Sequence, residues 1–99
     1  MLNINKNIED KKAVITLSGR LDTLTAPDLE GEVQQIKDGL EELVFDFTDL
    51  EYISSAGLRV LLAAQKIMNA QGSMKVVNVN EIVNEIFDVT GFSDILTIE

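Results

Sequence analysis

Apolar residues in this chain switch repeatedly between a period of two and a period near 3.6, and the order of the switches leaves few folds open. Leu2, Ile4 and Ile8 share one face of a first strand, with Lys6 interrupting, and Glu9 to Lys12 is a polar turn. Ala13, Ile15 and Leu17 alternate with Val14, Thr16 and Ser18 in a second strand that closes at Gly19. Strands joined by so short a turn pair as an antiparallel hairpin. Thr25 is placed as an N-cap, with Pro27 and Asp28 in the first turn. Leu29, Val33, Ile36 and Leu40 then recur at helical spacing, and Gly39 is a stop. Leu43 to Phe47 is a short buried strand. A second helix runs from near Ser55 to about Ala70 on a stripe of Leu58, Leu61, Leu62 and Met68, and Gly72 ends it. Met74 to Val79 is another strand. Asn80 caps a third helix carrying Ile82, Val83, Ile86 and Phe87, which closes near Gly91, and Ile95 to Ile98 is a weak last strand.

The predicted order is therefore β-β-α-β-α-β-α-β. Strands separated by whole helices pair in parallel through right-handed crossovers, whereas the opening hairpin is antiparallel. The expectation is an α/β fold, with one mixed sheet of four or five strands and helices packed on it. Residues 1–99 fit one domain.

Composition removes most chemistry. The chain has no histidine and no cysteine, so a serine nucleophile lacks an imidazole base and there is no thiolate, disulfide or usual zinc ligand set. Asp46 and Asp49 can be read as Mg²⁺ ligands at a strand end, or as strand-end and loop residues facing water. No enzyme activity and no cofactor are expected. Seventeen acidic residues against eight basic give a net charge of −9, which repels phosphate backbones and anionic membranes. Direct nucleic-acid binding and membrane insertion are not expected. The first residues lack the basic-then-apolar layout of a signal peptide, no apolar run is long enough for a bilayer, and the expected location is the cytoplasm.

The informative stretch runs from Asp49 to Arg59, where a buried strand ends at Phe47, a loop follows, and a helix begins at Ser54 and Ser55. A helix start exposes unpaired N–H groups and a partial positive charge. A phosphate is tolerated there without melting the helix. Ala56 and Gly57 add little bulk, which lets a partner's backbone approach. The same serines also suit plain capping.

Ser54-Ser55-Ala56-Gly57-Leu58-Arg59 resembles the signature of the STAS domain family, the bacterial anti-sigma factor antagonists (anti-anti-sigma factors), whose pattern there is roughly Asp-Ser-Ser/Thr-Gly-Leu-Gly. Gly19-Arg20-Leu21-Asp22, followed by Thr25-Ala26, is similar to the family's Gly-x-Leu-Asp…Thr-Ala segment. Phe87 to Phe92 is similar to its last helix and exit. The three matches come in family order and cover nearly the whole chain. The resemblance implies partner switching. The unphosphorylated antagonist binds an anti-sigma factor that is also a serine kinase, which frees the sigma factor. The kinase phosphorylates the loop serine and the complex separates, and a serine phosphatase resets it.

By position the phosphoacceptor maps onto Ser55, with Ser54 as the rival. Asp22, Ser54, Ser55, Ala56, Gly57, Leu58 and Arg59 form the implied partner surface. Two positions depart from the pattern: Ser54 replaces the family's aspartate, and Arg59 replaces its second glycine. Arg59 is four residues beyond Ser55, within reach of a phosphate there, and it also suits a solvated surface. A competing reading is the STAS subunit of a membrane ABC transporter complex, which binds a transporter ATPase without phosphorylation. A nucleotide-binding module is a third, and no glycine-rich phosphate loop supports it.

Overall fold

A computed structural model describes residues 2–99. The hairpin forms as expected: β1 (Leu2–Glu9) pairs antiparallel with β2 (Lys12–Leu21), and Glu9 faces Lys12 across a two-residue turn. Asp10 takes a left-handed conformation there (φ 54°), which a short polar side chain tolerates. Along β2 the alternation holds, with Ala13, Ile15, Leu17 and Leu21 all fully buried. The lysine that interrupts the first strand's apolar face is satisfied from above, because Lys6 forms an ion pair with Glu32 on α1 (Ala26–Ile36).

β3 (Glu42–Ile53) pairs in parallel with β2 and with β4 (Ser73–Val77), so the sheet has four strands in the order β1-β2-β3-β4. β3 runs on to Ile53, past the end expected at Phe47, and the loop expected after Phe47 is strand. The reason lies in the register. Thr16 pairs with Asp46 but Ser18 with Asp49, and Gly19 pairs with Leu50 but Arg20 with Tyr52. β3 thus carries one extra residue at each of two bulges. The inward positions become Leu43, Phe45, Phe47, Leu50 and Ile53, all buried.

α2 (Ser55–Gln71) follows β3 after the single residue Ser54, and Gly72 ends it as expected. Gly72 is required for close approach: a Cβ there would sit 1.9 Å from the Glu41 carbonyl oxygen. β4 stops short of the expected Val79 because Asn78 turns left-handed at φ 59°. The expected third helix is α3 (Glu81–Thr90). Asn80 Oδ1 accepts from the Val83 N–H at 2.8 Å, and Gly91 closes the helix at φ 82°. Its Phe87 packs on Phe47, with ring centroids 6.4 Å apart. A 3-10 turn at Phe92–Asp94 comes next, and the expected last strand is reduced to one parallel bridge between Ile98 and Val76.

Candidate functional site

Two chain segments meet where β2 and β3 end. Leu21 pairs with Ile53, and the Ser54 N–H donates to the Leu21 carbonyl at 2.8 Å. That bond joins the turn after β2 to the start of α2, so Asp22 and Ser55 belong to one surface although they are far apart in sequence. Arg20 and Tyr52 are cross-strand neighbours there, with the guanidinium carbon 4.6 Å from the ring centroid.

Asp22 holds the turn. Its carboxylate accepts from the Leu24 N–H at 3.0 Å and the Thr25 N–H at 3.1 Å, and its carbonyl accepts from the Ala26 N–H at 2.8 Å. Thr25 occupies the expected N-cap position but does not cap with its side chain. Its hydroxyl accepts from the Asp22 N–H and donates to the Arg20 carbonyl, both at 2.9 Å. Partial burial pulls the Asp22 pKa upward. The hydrogen bonds from Thr25 and Leu24 outweigh it and hold the carboxyl below its ordinary value. At the tip of this turn Leu24 is 87% exposed. Sequence reading missed it as a surface feature; the available signal was an apolar residue that fits neither the strand's alternation nor the helix's stripe.

The two serines differ in kind. Ser54 is the extended residue before α2 (ψ 176°), and its Oγ is buried without a hydrogen-bond partner among the described residues. Ser55 is the first residue of α2 and is exposed. Ala56 is half-buried and Arg59 is exposed, whereas Gly57 and Leu58 point inward. A Cβ on Gly57 would lie 2.7 Å from Leu21 Cγ and 2.8 Å from Ile53 Cγ1. Its lack of bulk therefore serves the seating of α2 on the strand ends, and does not give a partner room as the sequence suggested. A shallow groove between α1 and α2 is lined by Thr23, Pro27, Glu30, Ala56 and Arg59.

The two aspartates considered for Mg²⁺ are placed differently. Asp46 accepts from Thr48 Oγ1 at 2.6 Å, the Thr48 N–H at 3.0 Å and Asn78 Nδ2 at 3.1 Å, chiefly the first of which holds its carboxyl below the ordinary value. Asp49 lines a polar hollow with Asn3, Ser18 and Asn80. No group of three or more acidic side chains is arranged for a metal among the described residues. The hydrogen bonds favour the strand-end reading of Asp46.

Comparison with known families now decides the relationship: the STAS domain model matches residues 2–99. The chain belongs to the STAS domain family. It is 35% identical over 91 residues to a Bordetella bronchiseptica protein provisionally named anti-sigma factor antagonist BtrV, covering 90% of this chain and 78% of that one. A crystal structure of an anti-sigma factor antagonist from Mycobacterium paratuberculosis superposes with a TM-score of 0.89 at 24% identity, over 99% of this chain and 85% of the other. The Bacillus cell-fate determinant SpoIIAA in its phosphorylated form superposes with a TM-score of 0.78 at 16% identity, over 98% and 91% of the two chains. These structures share the mixed α/β fold of this STAS domain.

Proposed function

We propose that this STAS domain is a cytoplasmic anti-sigma factor antagonist that works by partner switching. Unphosphorylated, it binds an anti-sigma factor that is also a serine kinase, and so frees a sigma factor. Phosphorylation of Ser55 releases the partner, and a serine phosphatase restores binding. The domain acts as a single unit over residues 1–99, as a regulatory protein and not an enzyme. It uses no cofactor and makes no direct contact with nucleic acid or membrane.

The observation that carries this reading is the contrast between the serines: Ser55 presents its hydroxyl at an exposed helix start, while the Ser54 hydroxyl is buried. A kinase reaches the first and not the second. The names of the Bordetella bronchiseptica and Mycobacterium paratuberculosis relatives, both anti-sigma factor antagonists, support the same role. The partner surface in this reading comprises Ser55, Ala56 and Arg59 with the Asp22 turn and its Leu24 tip. Ser54, Gly57 and Leu58 shape it from beneath. A phosphate at the first helical position is favoured by about 0.3–1 kcal/mol, so it leaves the fold intact. Facing a docked partner it is desolvated, and a like charge there costs several kcal/mol.

The test uses each anti-sigma factor kinase of the source genome, purified singly, with ATP. Mass spectrometry should find phosphate on Ser55, and phosphorylated protein should fail to co-elute with the kinase that bound it. Ser55→Ala should remain bound. Phosphate on Ser54 alone would overturn the choice of acceptor. No phosphate on either serine, with capture of a transporter ATPase, would establish the transporter-subunit reading instead.

A further inference from the structure

α2 stands apart electrically from the rest of the chain. Of the seventeen acidic residues in a chain of net charge −9, none lies among its seventeen residues, which include Arg59 and Lys66. The absence extends to its first turn, where a carboxylate would favour the helix, and where α1 has Asp28 and α3 has Glu81. The side chains also group by face. Ser55, Arg59, Ala63 and Lys66 follow one another at steps of three and four residues, and all four are exposed. Elsewhere the lysines are committed: Lys6, Lys11, Lys12, Lys37 and Lys75 each form an ion pair with a carboxylate. Arg59 and Lys66 form none among the described residues, although acids outnumber bases by two to one. Glu30 lines the same groove as Arg59 and makes no ion pair with it.

We infer that this stripe is a docking strip for an acidic surface on the protein partner, read through Arg59 and Lys66, with Ala63 between them allowing close approach. The inference rests on the proposed role of Ser55, and it names the partner's chemistry. An acidic patch is attracted to the acid-free stripe of α2 on a molecule of net charge −9, so charge favours one orientation of docking. It also gives phosphorylation a second effect. Side chains on a helix lean toward its N-terminus, so Arg59 reaches back over the turn that carries Ser55. A phosphate on Ser55 draws the Arg59 guanidinium into an internal pair, and the partner meets an added anion and one fewer cation.

The first measurement needs no anti-sigma factor. Hexaglutamate titrated into the ¹⁵N-labelled protein at low ionic strength should shift amide resonances of α2 between Ser55 and Lys66. The shifts should vanish in the Arg59→Glu, Lys66→Glu double variant and persist in Lys75→Glu. Shifts confined to other elements, or none at all, would overturn the inference while leaving the Ser55 reading standing. The second measurement uses a kinase that binds the wild type. The double variant should bind at least tenfold more weakly, with a flatter dependence on salt. Unchanged affinity and salt dependence would overturn the docking strip even with Ser55 confirmed as the phosphoacceptor.

Discussion

Replacing Gly57 by alanine sets two effects of known size against each other. Taken as a helical glycine alone, the substitution should stabilise, since alanine is favoured in a helix interior by about 0.5–1 kcal/mol. The packing works the other way. The added methyl would stand 2.7 Å from Leu21 Cγ, 2.8 Å from Ile53 Cγ1 and 3.0 Å from Leu21 Cδ2. Both neighbours are fixed, being 0% and 1% exposed, so neither can swing away as a surface side chain would. Forcing a methyl into a filled core typically costs about 1–3 kcal/mol. The net expectation is a loss of up to about 2.5 kcal/mol, visible as a lower urea midpoint with an unchanged slope. A double-mutant cycle with Leu21→Ala should show positive rescue of about 1 kcal/mol, because the truncated side chain removes the two Leu21 contacts. If Gly57→Ala raised the urea midpoint, the claim that this glycine exists to seat α2 on β2 and β3 would be wrong.

Other substitutions probe the same corner. Ser54→Ala should leave stability unchanged or raise it, because the buried hydroxyl makes no cap bond; a loss of about 1 kcal/mol in thermal melts would show that it caps α2 in solution. Asn80→Ala should cost about 1–3 kcal/mol, since the amide both accepts from the Val83 N–H at 2.8 Å and donates to the Leu50 carbonyl at 2.7 Å; Asn80→Asp keeps the cap alone and should fall between the two in denaturant midpoint. The Asp22 carboxyl titrates below its unfolded value, so its contribution is complete above about pH 4 and is lost as pH falls through the folded value. The protection of the Leu24 and Thr25 amides, taken relative to the intrinsic exchange rate at each pH, should therefore fall on acidification, and the Asp22→Asn variant, which keeps an acceptor but cannot titrate, should not show that fall.

The ends of α2 and α3 were legible from local punctuation, whereas α1 stops at Ile36, short of the Gly39 stop expected for it. Asn80 and Gly91 bracket α3, and Gly72 ends α2, as local rules for caps require. The end of β3 was not legible. Phe47, Leu50 and Ile53 are three apart, and a strand without bulges repeats every two, so a period-two reading stops at Phe47. Only pairing with β2 reveals the extra residues, and pairing is not a local property. The same holds for Gly57, whose role depends on Leu21, thirty-six residues earlier in sequence. Within the site, the family resemblance grouped Ser54 through Arg59 as one partner surface. The helical turn divides them, with Gly57 and Leu58 inward and Ser55 and Arg59 outward.

The bulges also bear on how a switch at Ser55 can work. Had β3 ended at Phe47, Thr48 to Ser54 would form a free loop, and docking would have to order it at about 1–2 kcal/mol per residue. Instead Asp49, Leu50, Tyr52 and Ile53 are held in the ladder against β2, and the Ser54 N–H is fixed to Leu21. The ordering cost is met when the domain folds, and it does not recur on binding. A phosphate on such a mount has no loop to remodel. In the proposed switch its effect would fall on the surface around Ser55, so the two proposed states would share one backbone and differ in surface charge.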